Sequence, residues 1–196
     1  MKGCRPLSDE EIQKVLNKMS TSRKNGRYAK RNLLLFVFGL KTGYRISELL
    51  SIKVCDIMHP DGKIKDYVMI HKRYVKQKTS GRSCIIHPDI KKRVKGVVES
   101  MNLTQDDYLF CSQRTRSRMT RESCHRMFKR AFDLLQLDGQ LGTHCMRKTF
   151  AKNVYRRTGY DLMATRDALG HTDVWTTVKY LQADRDTINN AILSND

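Results

Sequence analysis

Most of the sequence has a pattern that predicts helices, but residues 56–88 do not. Within this stretch, Asp61-Gly62 is a tight-turn signal. Tyr67–Ile70 and Ser83–Ile86 have the residue types of short strands, and the basic loop 71–82 joins them. A chain of this pattern is restricted to an α+β fold that is mostly helical, with one small antiparallel β-sheet.

The predicted helices lie on both sides of this sheet. The first runs to about Met19 and starts with a capping box, because Ser8 can cap it and Glu11 follows three residues later. An apolar helix then ends near Gly43, and a short helix covers Ile46–Ile52. Later helices are predicted over 89–101, 120–136, 143–157, 162–169, 173–182 and about 185–193. No linker or repeat separates them, so residues 1–196 are expected to form a single domain.

The charge of the chain predicts an anionic partner. There are 38 Lys and Arg against 20 Asp and Glu, which gives a net charge of +18. Nucleic acid is the favoured partner, because neutralising its phosphates releases counterions and supplies affinity. An acidic membrane surface is the weaker alternative, because no long basic amphipathic helix with an apolar face stands out.

Other features restrict where the protein acts. The longest apolar run, residues 33–40, is too short to cross a bilayer, and the N-terminus lacks the apolar core of a signal peptide. The six cysteines form no Cys-x-x-Cys pair, so they do not suggest zinc and are expected to be free thiols. The expected location is the cytoplasm, in association with the nucleoid.

Four separated segments carry residues that suit phosphodiester cleavage without a metal. Arginine stays charged and offers paired hydrogen bonds to phosphate oxygens, and histidine donors can add to it. Lysine can protonate a leaving oxygen, and tyrosine can be the nucleophile if it is helped to lose a proton with a free pKa of about 10. The segments are residues 42–50 with Arg45, the hairpin loop with Lys78, His144–Arg147, and Leu169–His171 followed by Tyr180.

In two of these segments, the helical spacing predicts on which side of the helix the candidate residues lie. His144 and Arg147 are three residues apart, and both flank a predicted buried stripe, so they can line the edge of a cleft. Tyr180 lies about 120° off the apolar stripe of its own helix. Trp175 is expected to pack in the core beneath that helix. The two stripes are Met146, Phe150 and Val154, and Val174, Val178 and Leu181.

Together these segments resemble the tyrosine recombinase family, also called phage integrases. The family signature is Gly-x-Arg-x-Ser-Glu-Leu, a lysine on a β-hairpin loop, His-x-x-Arg, Leu-Gly-His, and a tyrosine about nine residues later. All five elements occur here in that order, within about residues 6–193. The resemblance implies a tyrosine-recombinase catalytic-domain fold. It also implies cleavage and rejoining of double-stranded DNA by four protomers, without a metal, ATP, another cofactor or a small-molecule substrate.

The resemblance also implies roles for individual residues. Arg45 and Arg147 would clamp the scissile phosphate, and His171 would donate a hydrogen bond to it. Glu48 would orient neighbouring groups of the site. Three more residues would move protons or attack the phosphate: Lys78 as proton donor to the 5′ oxygen, His144 as the aid to proton transfer, and Tyr180 as the nucleophile that forms a 3′-phosphotyrosine.

Several assignments have alternatives. Lys76 competes with Lys78, which is preferred because Lys-Thr before the second strand matches the family pattern. Two basic clusters are either solvated surface or phosphate contacts that position a duplex. They are the hairpin rim, Lys72, Arg73, Lys76 and Arg82, and a second group, Arg114, Arg116, Arg118 and Arg121.

The chain departs from the family pattern at two places. It begins where the catalytic domain usually begins, without the separate N-terminal domain of many members, and Lys148 stands where histidine is frequent. Two rival functions remain open. One is relaxation of a single duplex by the same chemistry, as in type IB topoisomerases. The other is a DNA-binding regulator that has lost catalysis, which the intact set of candidate residues argues against.

Overall fold

The structure, a computed structural model, describes residues 4–21, 26–70 and 82–181. The helices there are accompanied by one two-stranded sheet, which confirms the predicted mostly helical α+β fold. None of the helices in these ranges is long and apolar enough to cross a membrane. The hairpin loop 71–81 and the predicted helix 185–193 lie outside the described residues.

The described helices follow the predicted order, with one addition. They are α1 (Asp9–Ser20), α2 (Gly26–Thr42), α3 (Ile46–Leu49), α4 (Val54–Ile57), α5 (Pro88–Met101), α6 (Arg121–Leu134), α7 (His144–Arg157), α8 (Leu162–Leu169) and α9 (Val174–Leu181). The strands β1 (Tyr67–Ile70) and β2 (Arg82–Ile85) are antiparallel. Strand β2 begins and ends one residue earlier than predicted, with Arg82 opposite Ile70.

Helix α2 is buried by several neighbours. It packs against α1, α5 and α7, and residues 34–39 are buried around the whole helix. A helix that is apolar on every side needs neighbours on every side. Its C-terminal end and the start of α3 are therefore held in the interior, next to α7.

The predicted helix Ile46–Ile52 is shorter in the structure and ends at Leu49. The backbone that follows pairs with another segment: Leu109 N–H donates to Ile52 O at 2.9 Å, and Val54 N–H donates to Asp107 O at 3.0 Å. These bonds use backbone groups that a longer helix would direct along its own axis. The sequence prediction missed this pairing and also α4, which starts directly after it.

The N-terminal segment is fastened to the loop that precedes α7. The predicted capping box is present, with Glu11 N–H donating to Ser8 Oγ at 3.1 Å and Ser8 N–H donating to Glu11 Oε2 at 2.9 Å. Glu11 also accepts two hydrogen bonds from Arg5, at 2.5 and 2.8 Å. Arg5 in turn donates to Asp138 O. One carboxylate therefore stabilises both the helix start and the loop contact.

Glu11→Gln should lower the free energy of unfolding by about 1–2 kcal/mol, because the half-buried Arg5 loses its carboxylate while Gln can still cap the helix. Arg5 holds the pKa of Glu11 below its ordinary value. This contribution is therefore present at neutral pH and is lost as acid protonates the carboxylate. Urea denaturation measures the difference.

Glu10→Gln is the matched control on the same helix. Glu10 pairs with Lys14 on an exposed face, so its removal should change stability little. An equal loss of stability in both variants would show that the Arg5 contact contributes nothing beyond a surface charge pair.

Candidate active site

The junction between α2 and α3 is built around Gly43. Its φ is 59°, and a Cβ at this position would lie 2.2 Å from Cδ1 of Phe150. Glycine adopts this backbone conformation freely, and its missing side chain leaves room for the ring. The buried Tyr44 donates its hydroxyl to Val68 O at 3.1 Å, which ties the junction to β1. These contacts fix the start of α3, where Arg45 stands.

Arg45 is held by Glu48, one turn along α3. The Arg45 N–H donates to Glu48 Oε2 at 2.7 Å, and the guanidinium donates to Oε1 at 2.9 Å. The Glu48 side chain is 1% exposed, whereas that of Arg45 is 26% exposed. A buried carboxylate can thus orient a partly accessible guanidinium.

Arg147 lies inside the protein and joins three segments. Its guanidinium donates to Gly43 O, to Leu169 O at 3.0 Å and to His171 Nε2 at 2.9 Å. Carbonyl oxygens at the ends of α2 and α8 supply acceptors for a cation that is only 2% exposed. The guanidinium therefore holds the Gly43 junction and the His171 loop against α7.

This burial corrects the predicted face of α7. Arg147 was expected, together with His144, to flank a buried stripe at the edge of a cleft. Instead Arg147 is buried beside Met146, while Phe150 and Val154 are only partly buried. The reason is that α2, α8 and α9 all pack against α7, so it is covered on more than one side.

The hydroxyl of Tyr180, on α9, contacts the imidazole of His144, on α7. It lies 3.2 Å from His144 Nδ1. The His171 ring is edge-on to the Tyr180 ring, with centroids 5.7 Å apart. Arg147 Cζ and Lys148 Nζ lie 6.0 and 5.5 Å from the centroid of the Tyr180 ring. A phenol is thus surrounded by two imidazoles and two cations.

Helix α9 is oriented differently from the prediction. Its fully buried residue is Thr177, and the expected stripe is only partly buried. Trp175, predicted to be in the core, is 66% exposed, so that prediction is wrong. At about 100° per residue, Trp175 lies roughly opposite Thr177 around the helix. Thr177 therefore lies on the inward face of α9, and the indole is directed outward.

Burial and nearby cations shift the titration of the central pair. Burial raises the pKa of Tyr180 above its ordinary value, although Arg147 and Arg45 act in the opposite direction. Partial desolvation lowers the pKa of His144, and the charges of Arg147, Arg45 and Lys148 lower it further. At neutral pH the phenol therefore keeps its proton, and the imidazole beside it is uncharged.

The structure brings five of the predicted site residues and their support into one region. Arg147, His171, His144 and Tyr180 are linked by contacts, and the charge of Arg45 acts on both His144 and Tyr180. The candidates Lys72, Arg73, Lys76 and Lys78 lie outside the described residues, and Arg82 is described only through the backbone of β2.

Sequence reasoning missed Thr177 as a member of this region and treated Lys148 only as a departure from the family pattern. The signal for Thr177 was a polar residue three positions before Tyr180, on nearly the same side of the helix. All six cysteines are free, as predicted. In the part of the chain that the structure covers, no group of three or more His, Cys, Asp or Glu side chains is placed to hold a metal ion.

A basic groove of about 970 Å³ lies next to α6, apart from the candidate active site. It contains Arg114 and Arg118 of the second predicted basic cluster. Helix α6 also reaches the segment before α7, since the His125 ring lies 3.2 Å from where a Cβ on Gly142 would stand. The cations that line the groove are Lys18, Arg31, Arg114, Arg118, Arg126 and Arg130.

Comparison with known proteins identifies relatives over nearly the whole chain. The model of the phage integrase family matches residues 5–186. The probable integrase/recombinase YoeC of Bacillus subtilis is 32% identical over 178 residues, which are 91% of this chain and 88% of YoeC. The tyrosine recombinase XerH of Helicobacter pylori is 24% identical over 94% of this chain but only 50% of XerH. The chain thus spans most of YoeC and half of XerH.

Solved structures share the fold. XerH bound to palindromic difH substrate, a post-cleavage complex, has a TM-score of 0.75 at 24% identity and covers 96% of this chain and 52% of that chain. The catalytic domain of bacteriophage HP1 integrase has a TM-score of 0.63 at 18% identity and covers 98% and 96%. The family match, the YoeC similarity and the common fold agree. The chain belongs to the phage integrase family of tyrosine recombinases.

Proposed function

We propose that this chain cleaves and rejoins double-stranded DNA in site-specific recombination, through a 3′-phosphotyrosine formed by Tyr180. The contact that carries this proposal is the 3.2 Å approach of the Tyr180 hydroxyl to His144 Nδ1, beside the buried Arg147. The names of YoeC, an integrase/recombinase, and XerH, a tyrosine recombinase, support it. The solved XerH complex with its difH substrate supports duplex DNA as the partner.

Tyr180 and His144 form the attacking pair. The Tyr180 oxygen attacks the phosphorus and forms a P–O bond, and the phenolic proton passes to Nδ1 of the neutral His144. The lowered pKa of His144 keeps its ring uncharged before the reaction, so Nδ1 can accept the proton when the ring carries its own proton on Nε2. The raised pKa of Tyr180 means that the phenol needs such an acceptor. Arg147 and Arg45 stabilise the phenolate character that develops during attack.

The transition-state charge is met by guanidinium and imidazole donors. Arg45 is partly accessible and is oriented by Glu48, while Arg147 and His171 are already joined to each other. Guanidinium donors held in this way stabilise added phosphate charge, and the His171 imidazole adds to them once its Nε2 carries a proton. They supply the charge for which other enzymes use a metal ion, so the proposed reaction does not depend on one.

The remaining steps follow from the family resemblance. Lys78 protonates the 5′ oxygen as its bond to phosphorus breaks, so cleavage leaves a free 5′-hydroxyl. A 5′-hydroxyl of a second strand then attacks the phosphotyrosine and releases Tyr180, which conserves the ester energy without ATP. Four protomers hold two synapsed DNA sites. Residues 1–196 act as a single catalytic domain and associate with the nucleoid.

Two basic surfaces position the duplex in this proposal. The hairpin rim (Lys72, Arg73, Lys76 and Arg82) and the groove beside α6 contact phosphates, which sets register without reading sequence. The net charge of +18 and the cations along the groove support such contacts. The proximity of His125 to Gly142 places α6 next to the segment that leads into His144.

The proposal is tested with nicked suicide duplexes that carry a randomised core, so that no target sequence has to be known. After attack, the short 5′-hydroxyl fragment diffuses away and traps the protein on the DNA. The wild-type chain should give a covalent adduct on a denaturing gel, in EDTA and without nucleotides. An adduct that needs a divalent metal, or that joins protein to the 5′ end, would contradict the mechanism.

A further inference from the structure

Thr177 makes a buried contact with a histidine of the site. It is fully buried in α9, and its Oγ1 lies 2.9 Å from His171 Nδ1. A threonine in the interior of a helix commonly bonds a carbonyl one turn back. This hydroxyl instead reaches a ring nitrogen in the loop between α8 and α9.

The other ring nitrogen of His171 decides where the proton lies. Arg147 Nη2 is 2.9 Å from His171 Nε2. A guanidinium has no acceptor, so Nε2 must present its lone pair to Arg147. The proton of the neutral ring is then on Nδ1, which donates it to Thr177 Oγ1. Without DNA, His171 therefore offers an acceptor, not a donor, on the side of Arg147.

This arrangement has to change when phosphate enters the site. On the proposed function, His171 Nε2 donates a hydrogen bond to a phosphate oxygen. Nε2 must then carry a proton, either on a charged ring that keeps Nδ1–H or on a neutral ring whose Nδ1 becomes an acceptor. A hydroxyl satisfies Nδ1 in both cases, because it can donate or accept, whereas a methyl group satisfies neither.

We propose that Thr177 is a positioning residue, whose hydroxyl holds His171 through Nδ1 in both states so that Nε2 can change from acceptor to donor. The inference rests on the proposed function for the role of His171. Thr177 also stands three residues before Tyr180, so the two lie on nearly the same side of α9. Any movement of the nucleophile helix would therefore carry the anchor of His171 with it.

A spectroscopic test needs no DNA. The 15N resonances of histidine rings distinguish protonated from unprotonated nitrogens, and a His171→Asn variant assigns the His171 signals. The DNA-free wild type should show a neutral His171 with its proton on Nδ1. A ring with its proton on Nε2 would overturn the inference, whatever the protein does to DNA.

A kinetic test uses two substitutions at the same position. Thr177→Val keeps the shape but removes the hydroxyl, so adduct formation in a single turnover should slow by about 10- to 100-fold while duplex affinity is unchanged. Thr177→Ser restores the hydroxyl and should recover most of the rate. Thr176→Val, at an exposed neighbouring position, is the matched control and should behave as the wild type.

The outcomes separate this inference from the proposed function. Wild-type rates in Thr177→Val would overturn the positioning role. So would an equal slowing in Thr177→Ser, because that result points to packing by the methyl group. Failure of the wild type itself to form an adduct would reject the proposed function, and the ring-nitrogen measurement would still decide whether Thr177 sets the protonation of His171.

Discussion

Tyr180→Phe should form no covalent adduct with suicide DNA and should bind intact duplex as the wild type does. The substitution removes the oxygen that is proposed to attack phosphorus and keeps the ring. Its contacts with the Lys148 ammonium at 5.5 Å and the Arg147 guanidinium at 6.0 Å involve the ring face, so they remain. Adduct formation is measured on denaturing gels, and binding is measured by fluorescence anisotropy at constant salt.

Tyr160→Phe is the matched control for this prediction. Tyr160 is 64% exposed and lies in the turn between α7 and α8. Its variant loses a hydroxyl of the same kind from the surface and should keep wild-type cleavage. If Tyr180→Phe still forms the adduct, mass spectrometry of the linked peptide would identify another nucleophile, and the mechanism proposed for Tyr180 would be wrong.

Gly43→Ala should destabilise the protein by about 2–4 kcal/mol and slow adduct formation as well. Part of the cost comes from the left-handed backbone at φ 59°, and part from a Cβ placed 2.2 Å from the Phe150 ring. The carbonyl of Gly43 also accepts a hydrogen bond from Arg147. A shift of this backbone therefore moves a guanidinium that the proposed mechanism uses. Urea denaturation measures the first effect, and single-turnover cleavage below the unfolding transition measures the second.

Gly96→Ala is the control, and it should change the stability of the protein in the opposite direction. Gly96 lies within α5, and a Cβ there would have no heavy atom within 4 Å. Alanine should stabilise this helix by about 0.5–1 kcal/mol and leave cleavage unchanged. Equal stability of Gly43→Ala and the wild type would show that the α2–α3 junction tolerates a side chain, and that Arg147 is positioned by its other contacts.

Structural features that depend on only a few neighbouring residues were predicted well. The capping box at Ser8 and Glu11, the first strand at Tyr67–Ile70 and the end of α5 at Met101 are all found where the sequence places them. Each depends on hydrogen bonds or side-chain types in a short stretch of backbone. The order of the site motifs was also readable, because each motif is local, and the family match agrees with it.

Predictions that depended on the neighbours of a helix were less successful. The break after Leu49 depends on pairing with residues 107–109, more than fifty positions away. The side of α7 that carries Arg147 could not be read from an apolar stripe, because α2, α8 and α9 all pack against this helix. Trp175 was misplaced for a related reason, since α9 packs against α7 and α8 with Thr177, and not its apolar stripe, as the buried residue.

The sequence alone determined the helical class, the small sheet, the basic character and the identity of the candidate reactive groups, because these are properties of residue type and short spacing. Only the tertiary structure decided that Arg147 lies inside, that His144 meets the Tyr180 hydroxyl, and that Thr177 holds His171. These pairings join side chains on different helices or loops. Their geometry is fixed by packing, which local backbone preferences do not encode.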